Sequence, residues 1–216
     1  MASQLILWGA TTSRTMRAHW ALAELELSYQ RRPILPRNGE TLTEEYTALT
    51  ARQKIPLLQD GDLVLTESAA IVTYLSDRYA TDETALVPRT ARERAVCLEW
   101  CFFVISELDA ASLYIMRRHG DLKYVYGESS TACEAAQAYF AAQMRSVDRA
   151  LADGRHFIAG AGFTAADIML STCLSWAVRY EVPVSDLAAA YNGRLTARPA
   201  FIQATAQNRA PEATNP

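Results

Sequence analysis

Lys54-Ile55-Pro56-Leu57-Leu58, followed after Gln59 by Asp60-Gly61-Asp62-Leu63-Val64-Leu65-Thr66-Glu67-Ser68-Ala69-Ala70-Ile71, is the stretch whose reading decides the fold. It reads as strand, tight turn, strand and helix start. Pro56 opens the first strand, where a missing N–H costs least. Asp60-Gly61 supplies the turn. Glu67 and Ser68 then stand where the first N–H groups of a new helix have no intrahelical partner. Those free N–H groups and the positive end of the helix dipole favour a carboxylate. A proline-led strand beside such a corner suits a short acidic peptide.

Upstream of that stretch, short strands alternate with helices. Gln4 to Trp8 is an apolar run ended by Gly9. Arg14 to Leu25 carries Ala18, Ala21, Leu22 and Leu25 at helical spacing. Ser28 to Ile34 reads as a second strand closed by Pro33 and Pro36, and Glu40 to Leu49 as a weaker helix. Ser68 to Tyr79 pairs Ala70 with Tyr74 and Ile71 with Leu75 on one face. The order is β-α-β, a helical connection, then β-β-α. A right-handed parallel first unit and an antiparallel last pair make a four-stranded mixed sheet with helices on both faces. That is a thioredoxin-like α/β domain, expected over residues 1–80.

Thr81 to Pro88 is polar and reads as a linker. Beyond it Leu98, Phe102, Ile105 and Leu108, then Phe140, Met144, Val147 and Leu151, recur every three or four residues. An all-α helical bundle is expected over residues 89–208. Phe163-Thr164-Ala165-Ala166-Asp167-Ile168 carries the capping-box spacing and starts a helix of that bundle. Asn208 to Pro216 reads as a frayed polar tail.

Bulk properties narrow the function classes. The chain has 216 residues, half of them apolar, and a net charge of −3. No run of Lys or Arg suggests nucleic acid as the main partner. Met1 to Trp8 lacks a leader pattern, and no apolar run reaches the roughly 20 residues of a membrane span. Cys97, Cys101, Cys133 and Cys173 follow neither a C-x-x-C nor a zinc spacing, and His19, His119 and His156 form no cluster. The expectation is a reducing cytoplasm, no metal and no disulfide framework.

These segments together resemble the cytosolic glutathione S-transferases. The likeness rests on Ser13-Arg14 with Trp20-Ala21-Leu22-Ala23-Glu24-Leu25, on Lys54-Ile55-Pro56, and on Glu67-Ser68-Ala69-Ala70-Ile71. In the second half it rests on Phe163 to Ile168 and on Arg198-Pro199-Ala200-Phe201. It runs over nearly the whole chain. The first loop is most similar to that of bacterial and fungal members with a Ser-Arg pair. Thr50-Ala51-Arg52-Gln53 departs from the family, in which Asn-Pro and a Gly are common there.

The resemblance implies a detoxifying enzyme that uses glutathione as co-substrate and acts as a homodimer on small, mostly apolar electrophiles. It implies a cis Ile55–Pro56 bond, with the Ile55 backbone pairing the cysteinyl part of glutathione like an added strand. Ser68 would bind the γ-glutamyl carboxylate, Glu67 would face the γ-glutamyl amine, and Lys54 would attract a carboxylate. The reacting species is the glutathione thiolate, since the thiolate is the nucleophile. Its stabiliser is sought in Gly9-Ala10-Thr11-Thr12-Ser13-Arg14, where a hydroxyl can donate to sulfur and a helix begins. Ser13 is the first choice of donor and Thr12 the second, while Arg14 adds positive potential. Trp8 stands where some subfamilies carry Tyr, and no Cys lies in the loop. The electrophile is expected against the helix from Trp100 to Arg118, with Phe103, Glu107, Ser112, Tyr114 and Met116 as candidates. Two other readings stay open: a non-catalytic interaction protein on the same fold, and a specialised glutathione-dependent lyase, etherase or isomerase.

Overall fold

The computed structural model describes residues 4–210. These residues fall into two compact units, one running up to Val87 and taking in the stretch from Ala197 onward, the other Pro88–Thr196.

In the first unit β1 (Leu5–Trp8), α1 (Ser13–Glu24), β2 (Gln30–Arg32), α2 (Glu44–Leu49), β3 (Leu57–Asp60), β4 (Leu63–Thr66) and α3 (Ser68–Tyr79) follow in order. The sheet order is β2-β1-β3-β4, with β1 and β2 parallel and the other pairs antiparallel. Side chains alternate between its faces. Trp8 and Leu57 turn to the side of α2, where Tyr46 packs with them and with Ile6, Ile34, Leu49 and Ile55. Leu7 and Leu58 are wholly buried on the other face, the side left for the packed pair α1 and α3.

Local chemistry sets the boundaries. β2 is shorter than the Ser28 to Ile34 expectation. Pro33 has no N–H for the ladder, and the Ile34 N–H folds back to Arg32 O at 2.8 Å. The expected Glu40 to Leu49 helix is split into a single 3₁₀ turn, Glu40–Leu42, and α2. Thr43 divides them in extended conformation, its hydroxyl accepting the Tyr46 N–H at 3.3 Å. Asp60 pairs with Leu63, so the tight turn is Gly61-Asp62 rather than Asp60-Gly61, with Gly61 at φ +62. The Asp60 carboxylate accepts the hydroxyls of Tyr74 and Tyr79, which tie α3 to the hairpin.

The second unit is helical. α4 (Ala91–Phe103) runs through a π-helical stretch, Val104–Leu113, into α5 (Tyr114–His119). α6 (Lys123–Tyr126), α7 (Ser130–Leu151), α8 (Ala165–Arg179) and α9 (Asp186–Thr196) follow. α7 buries Phe140, Met144, Val147 and Leu151, the stripe read from the sequence. Cys97, Cys101 and Cys173 are buried and Cys133 is half-buried, and none of the four is in a disulfide.

The last helix corrects two expectations. α10 (Pro199–Gln207) packs on α1, so the segment from Ala197 joins the first unit rather than the bundle drawn to residue 208. Arg198 forks onto Glu24 at 2.6 and 2.7 Å, and Phe201 meets the Trp20 ring edge-on at 4.8 Å between centroids. Asn208 is hydrogen-bonded and half-buried rather than frayed. Residues 211–216 of that expected tail, and the first three residues of the chain, lie outside the described residues.

Asp167 is the polar centre of the bundle. It is fully buried and accepts from Ile158 N, Thr164 N, Thr164 Oγ1 and Tyr191 Oη at 2.6–2.9 Å. Burial pushes its carboxyl up, and these hydrogen bonds oppose that. Replacing Asp167 with Ala strands four donors, two of them on the backbone. We expect a loss of about 3 kcal/mol or more, hence a fall in Tm of roughly 10 °C for a chain of this size. Thermal unfolding checks this. Glutathione affinity is expected to hold, and its loss at unchanged Tm would refute a purely structural role.

Candidate active site

The path from β1 into α1 leaves no room at Gly9. It has φ +110, and a Cβ there would lie 2.6 Å from Ile55 Cβ and 2.8 Å from Thr15 Cγ2. Glycine alone allows this approach and this torsion. The Gly9 N–H donates to Arg32 O at 2.8 Å and the Ala10 N–H to Ile34 O at 3.1 Å, which extends the pairing with β2. Thr11, at φ +67, turns the chain. Thr12 then caps α1.

The cap decides which hydroxyl is available. Thr12 Oγ1 accepts the Thr15 N–H at 3.0 Å, and Thr15 Oγ1 accepts the Thr12 N–H at 3.0 Å. Thr15 Oγ1 also lies 2.6 Å from Asn208 Oδ1. Assigned with its acceptor-only oxygen facing that hydroxyl, Asn208 takes the Thr15 proton. Thr15 Oγ1 also lies 2.9 Å from Thr12 O, and the Thr12 and Thr15 hydroxyls are hydrogen-bonded to each other at 3.0 Å. Both oxygens are engaged within the cap. Ser13 is the first residue of α1 and half-buried. Among the described residues its hydroxyl has no hydrogen-bond partner. Arg14 follows it in the first turn, which carries no acidic residue.

His19 braces the same loop. It is buried, with Nε2 3.3 Å from Gly9 O and Nδ1 2.7 Å from Tyr29 Oη. A carbonyl only accepts, so Nε2 carries the proton and Nδ1 accepts from Tyr29. Burial pushes His19 down to about 4 and Tyr29 up to about 12.

The second wall is the loop before β3. Ile55–Pro56 is cis. Tyr46 Oη donates to Lys54 O at 2.6 Å and fixes the loop from beneath. The Ile55 N–H and C=O have no partner among the described residues, although backbone groups in folded proteins are nearly always paired. The Lys54 side chain is exposed.

The third wall is the start of α3. Glu67 precedes it at φ +69, and Ser68 is its first residue and buried. Arg17, buried in α1, brings Nη1 to 3.3 Å from Ser68 Oγ. Arg52 reaches Glu67 Oε1 at 3.0 Å and Thr66 Oγ1 at 3.2 Å. The Glu67–Arg52 pair is largely exposed, so it adds little to stability.

Residues 3–77 match the glutathione S-transferase N-terminal domain, and residues 96–199 match the glutathione S-transferase C-terminal domain. The chain belongs to the glutathione S-transferase family. It is similar to glutathione S-transferase GstA of Escherichia coli O157:H7, 31% identical over 160 residues, which cover 72% of this chain and 74% of that protein. It is also similar to glutathione S-transferase 2 of Anopheles gambiae, 31% identical over 141 residues covering 64% and 63% of the two chains. Among solved structures, the theta class glutathione S-transferase of Xanthomonas axonopodis pv. citri, crystallised with glutathione bound, superposes with a TM-score of 0.78. That pair is 27% identical, with 95% and 98% of the two chains covered.

Of the residues expected from the sequence of this transferase, Thr12, Ser13 and Arg14 lie at the start of α1, Lys54, Ile55 and Pro56 in the loop before β3, and Glu67 and Ser68 at the start of α3. Three other residues escape that reading. Arg17 lies three and four positions before Trp20 and Ala21, on a face that reads as apolar. Arg52 sits in the segment that departs from the family. Asn208 sits in the expected tail. Trp8 donates its indole N–H to Gln59 Oε1 at 2.6 Å, so that group is engaged.

His19 makes stability depend on pH. Its folded pKa of about 4 lies below the 6.5 of the free side chain. The unfolded chain therefore takes up a proton first as pH falls, and stability drops through that window. Between pH about 7 and about 5 the loss through His19 is expected to be about 2 kcal/mol. Urea unfolding of the wild type and of His19→Gln at both pH values measures it. An equal slope in the two proteins would contradict it.

Proposed function

We propose that this glutathione S-transferase ionises bound glutathione at the amino end of α1, with Ser13 donating a hydrogen bond to the sulfur. One observation carries the reading: the Thr12 hydroxyl is engaged in the cap, while the Ser13 hydroxyl, next in the chain, is not. A free thiol with pKa near 8.5 is mostly protonated at neutral pH. Lowering it by one to two units takes roughly 1.4–2.7 kcal/mol, which one charge-assisted hydrogen bond and a helix end supply.

The rest of the tripeptide follows the other walls. Ser68 takes the γ-glutamyl carboxylate at the start of α3, whose first turn is free of acidic residues. The unpartnered Ile55 N–H and C=O pair the cysteinyl backbone beside Pro56. Glu67, oriented by Arg52, faces the γ-glutamyl amine, and exposed Lys54 attracts a carboxylate. Arg14 adds positive potential. The thiolate then attacks a small, mostly apolar electrophile, with no covalent bond to the enzyme. We further propose a homodimer in the reducing cytoplasm. Among the described residues no helix is long and apolar enough to cross a membrane.

Retention on immobilised glutathione, elution by free glutathione and turnover of an aryl halide test the activity. Replacing Ser13 with Ala is expected to lower kcat/KM at neutral pH about 10–100-fold and to raise the thiol pKa seen in the pH profile. Thr12→Ala is expected to cost about 1 kcal/mol of cap energy, a Tm drop of roughly 2–4 °C, and to leave the profile in place. The reverse pattern would reassign the donor to Thr12.

A further inference from the structure

We propose that Asn208, almost the whole length of the chain away in sequence, is a positioning residue for thiolate formation: it clamps the Thr11–Thr15 turn from outside and so aims Ser13 and the start of α1 at the sulfur. The inference rests on the Ser13 reading above and adds to it the group that holds the loop.

Three hydrogen bonds make the clamp. Asn208 O accepts the Thr11 N–H at 2.8 Å. Asn208 Nδ2 donates to Thr12 O at 3.1 Å, and Asn208 Oδ1 accepts the Thr15 hydroxyl at 2.6 Å. The amide orientation follows from its neighbours, because Thr12 O accepts only and must face the NH₂ group. Each bond falls on a residue within two positions of Ser13. The Thr11 bond matters most. A threonine at φ +67 is in a region that non-glycine residues seldom occupy, and such a torsion persists where surrounding bonds over-determine it.

Asn208 is itself rigidly mounted. Its N–H donates to Ala204 O at 2.8 Å as the C-cap of α10. Ala204 is buried, and α10 is fastened to α1 by the Glu24–Arg198 fork and the Trp20–Phe201 contact. Just beyond, Arg31 Nη2 donates to Arg209 O at 2.5 Å. The clamp and the helix it steadies thus belong to one packed layer. Through the Thr15 hydroxyl, which also lies 2.9 Å from Thr12 O, Asn208 joins the cap network, in which the Thr12 and Thr15 hydroxyls are hydrogen-bonded to each other and Ser13 remains for the sulfur.

The test uses the full chain with Asn208→Ala, Asn208→Asp and, as a control on an exposed α10 position, Gln203→Ala. Glutathione with an aryl halide is followed across pH, and thiolate ultraviolet absorbance is read on bound glutathione. Asn208→Ala is expected to raise the apparent thiol pKa and lower kcat/KM at neutral pH about tenfold, with KM for glutathione within about twofold, since Ser68 and Ile55 are untouched. Asn208→Asp is nearly isosteric and preserves the fold. It loses the donor to Thr12 O and brings a negative charge to the start of α1, so its pKa shift is expected to be the larger of the two. Gln203→Ala is expected to match the wild type.

A lower Tm with an unmoved pH profile in both Asn208 variants would reduce Asn208 to a docking contact and overturn the inference. So would a raised glutathione KM with the profile unmoved. If Ser13→Ala abolishes the thiolate while both Asn208 variants keep it, the inference fails and the Ser13 reading stands. A wild type that cannot ionise bound glutathione overturns both.

Discussion

Gly9 admits no side chain, because a Cβ there would fall 2.6 Å from that of Ile55. That single close approach holds the loop before β3 against the start of α1. The walls of the site are therefore in van der Waals register before any ligand arrives. The remaining elements serve this contact. Arg32 at the end of β2 takes the Gly9 amide, Ile34 beyond it takes the Ala10 amide, and His19 takes the Gly9 carbonyl. Thr15 packs its methyl on one side and caps with its hydroxyl on the other. A site built to favour a thiolate needs donors fixed in advance, since donors that reorient on binding lose much of their electrostatic effect.

Charge burial follows one rule throughout the molecule. Each buried ionisable group has either partners or a suppressed charge. Arg17 is enclosed by α1 and reaches the Ser68 hydroxyl. Asp167 gathers four donors and anchors the opening of α8. His19 stays neutral, its burial driving the pKa down. In the first unit the buried cation stands beside the α3 helix start, in the region proposed for a carboxylate.

Much of the architecture is legible locally. The α3 boundaries, the antiparallel hairpin and the α7 stripe follow from turn residues, caps and periodicity, all of which act over a few residues. Where local chemistry competes, expectation and structure part. Pro33 cuts β2 short, and the extended Thr43 breaks the expected helix before α2. The local placement of the candidate residues was equally readable: Ser13 at a helix start, Ile55-Pro56 just before a strand, Ser68 at the next helix start. Arg17 was masked because an arginine on an apolar face announces burial only when its partner, 51 residues on, is known.

The sequence by itself determined the two kinds of unit and the order of strands and helices in the first of them. Spacing alone carries that information, because strand alternation, helix periodicity and capping are short-range physics. Only the tertiary structure decided which hydroxyl is uncommitted, that α10 leaves the helical run to pack on α1, and that Asn208 closes the loop around Ser13. The reason is the length of chain between the partners. Thr15 and Asn208 are 193 residues apart, and their 2.6 Å hydrogen bond exists only once α10 has docked. A contact whose geometry depends on every intervening segment leaves no periodic trace in the residues that make it.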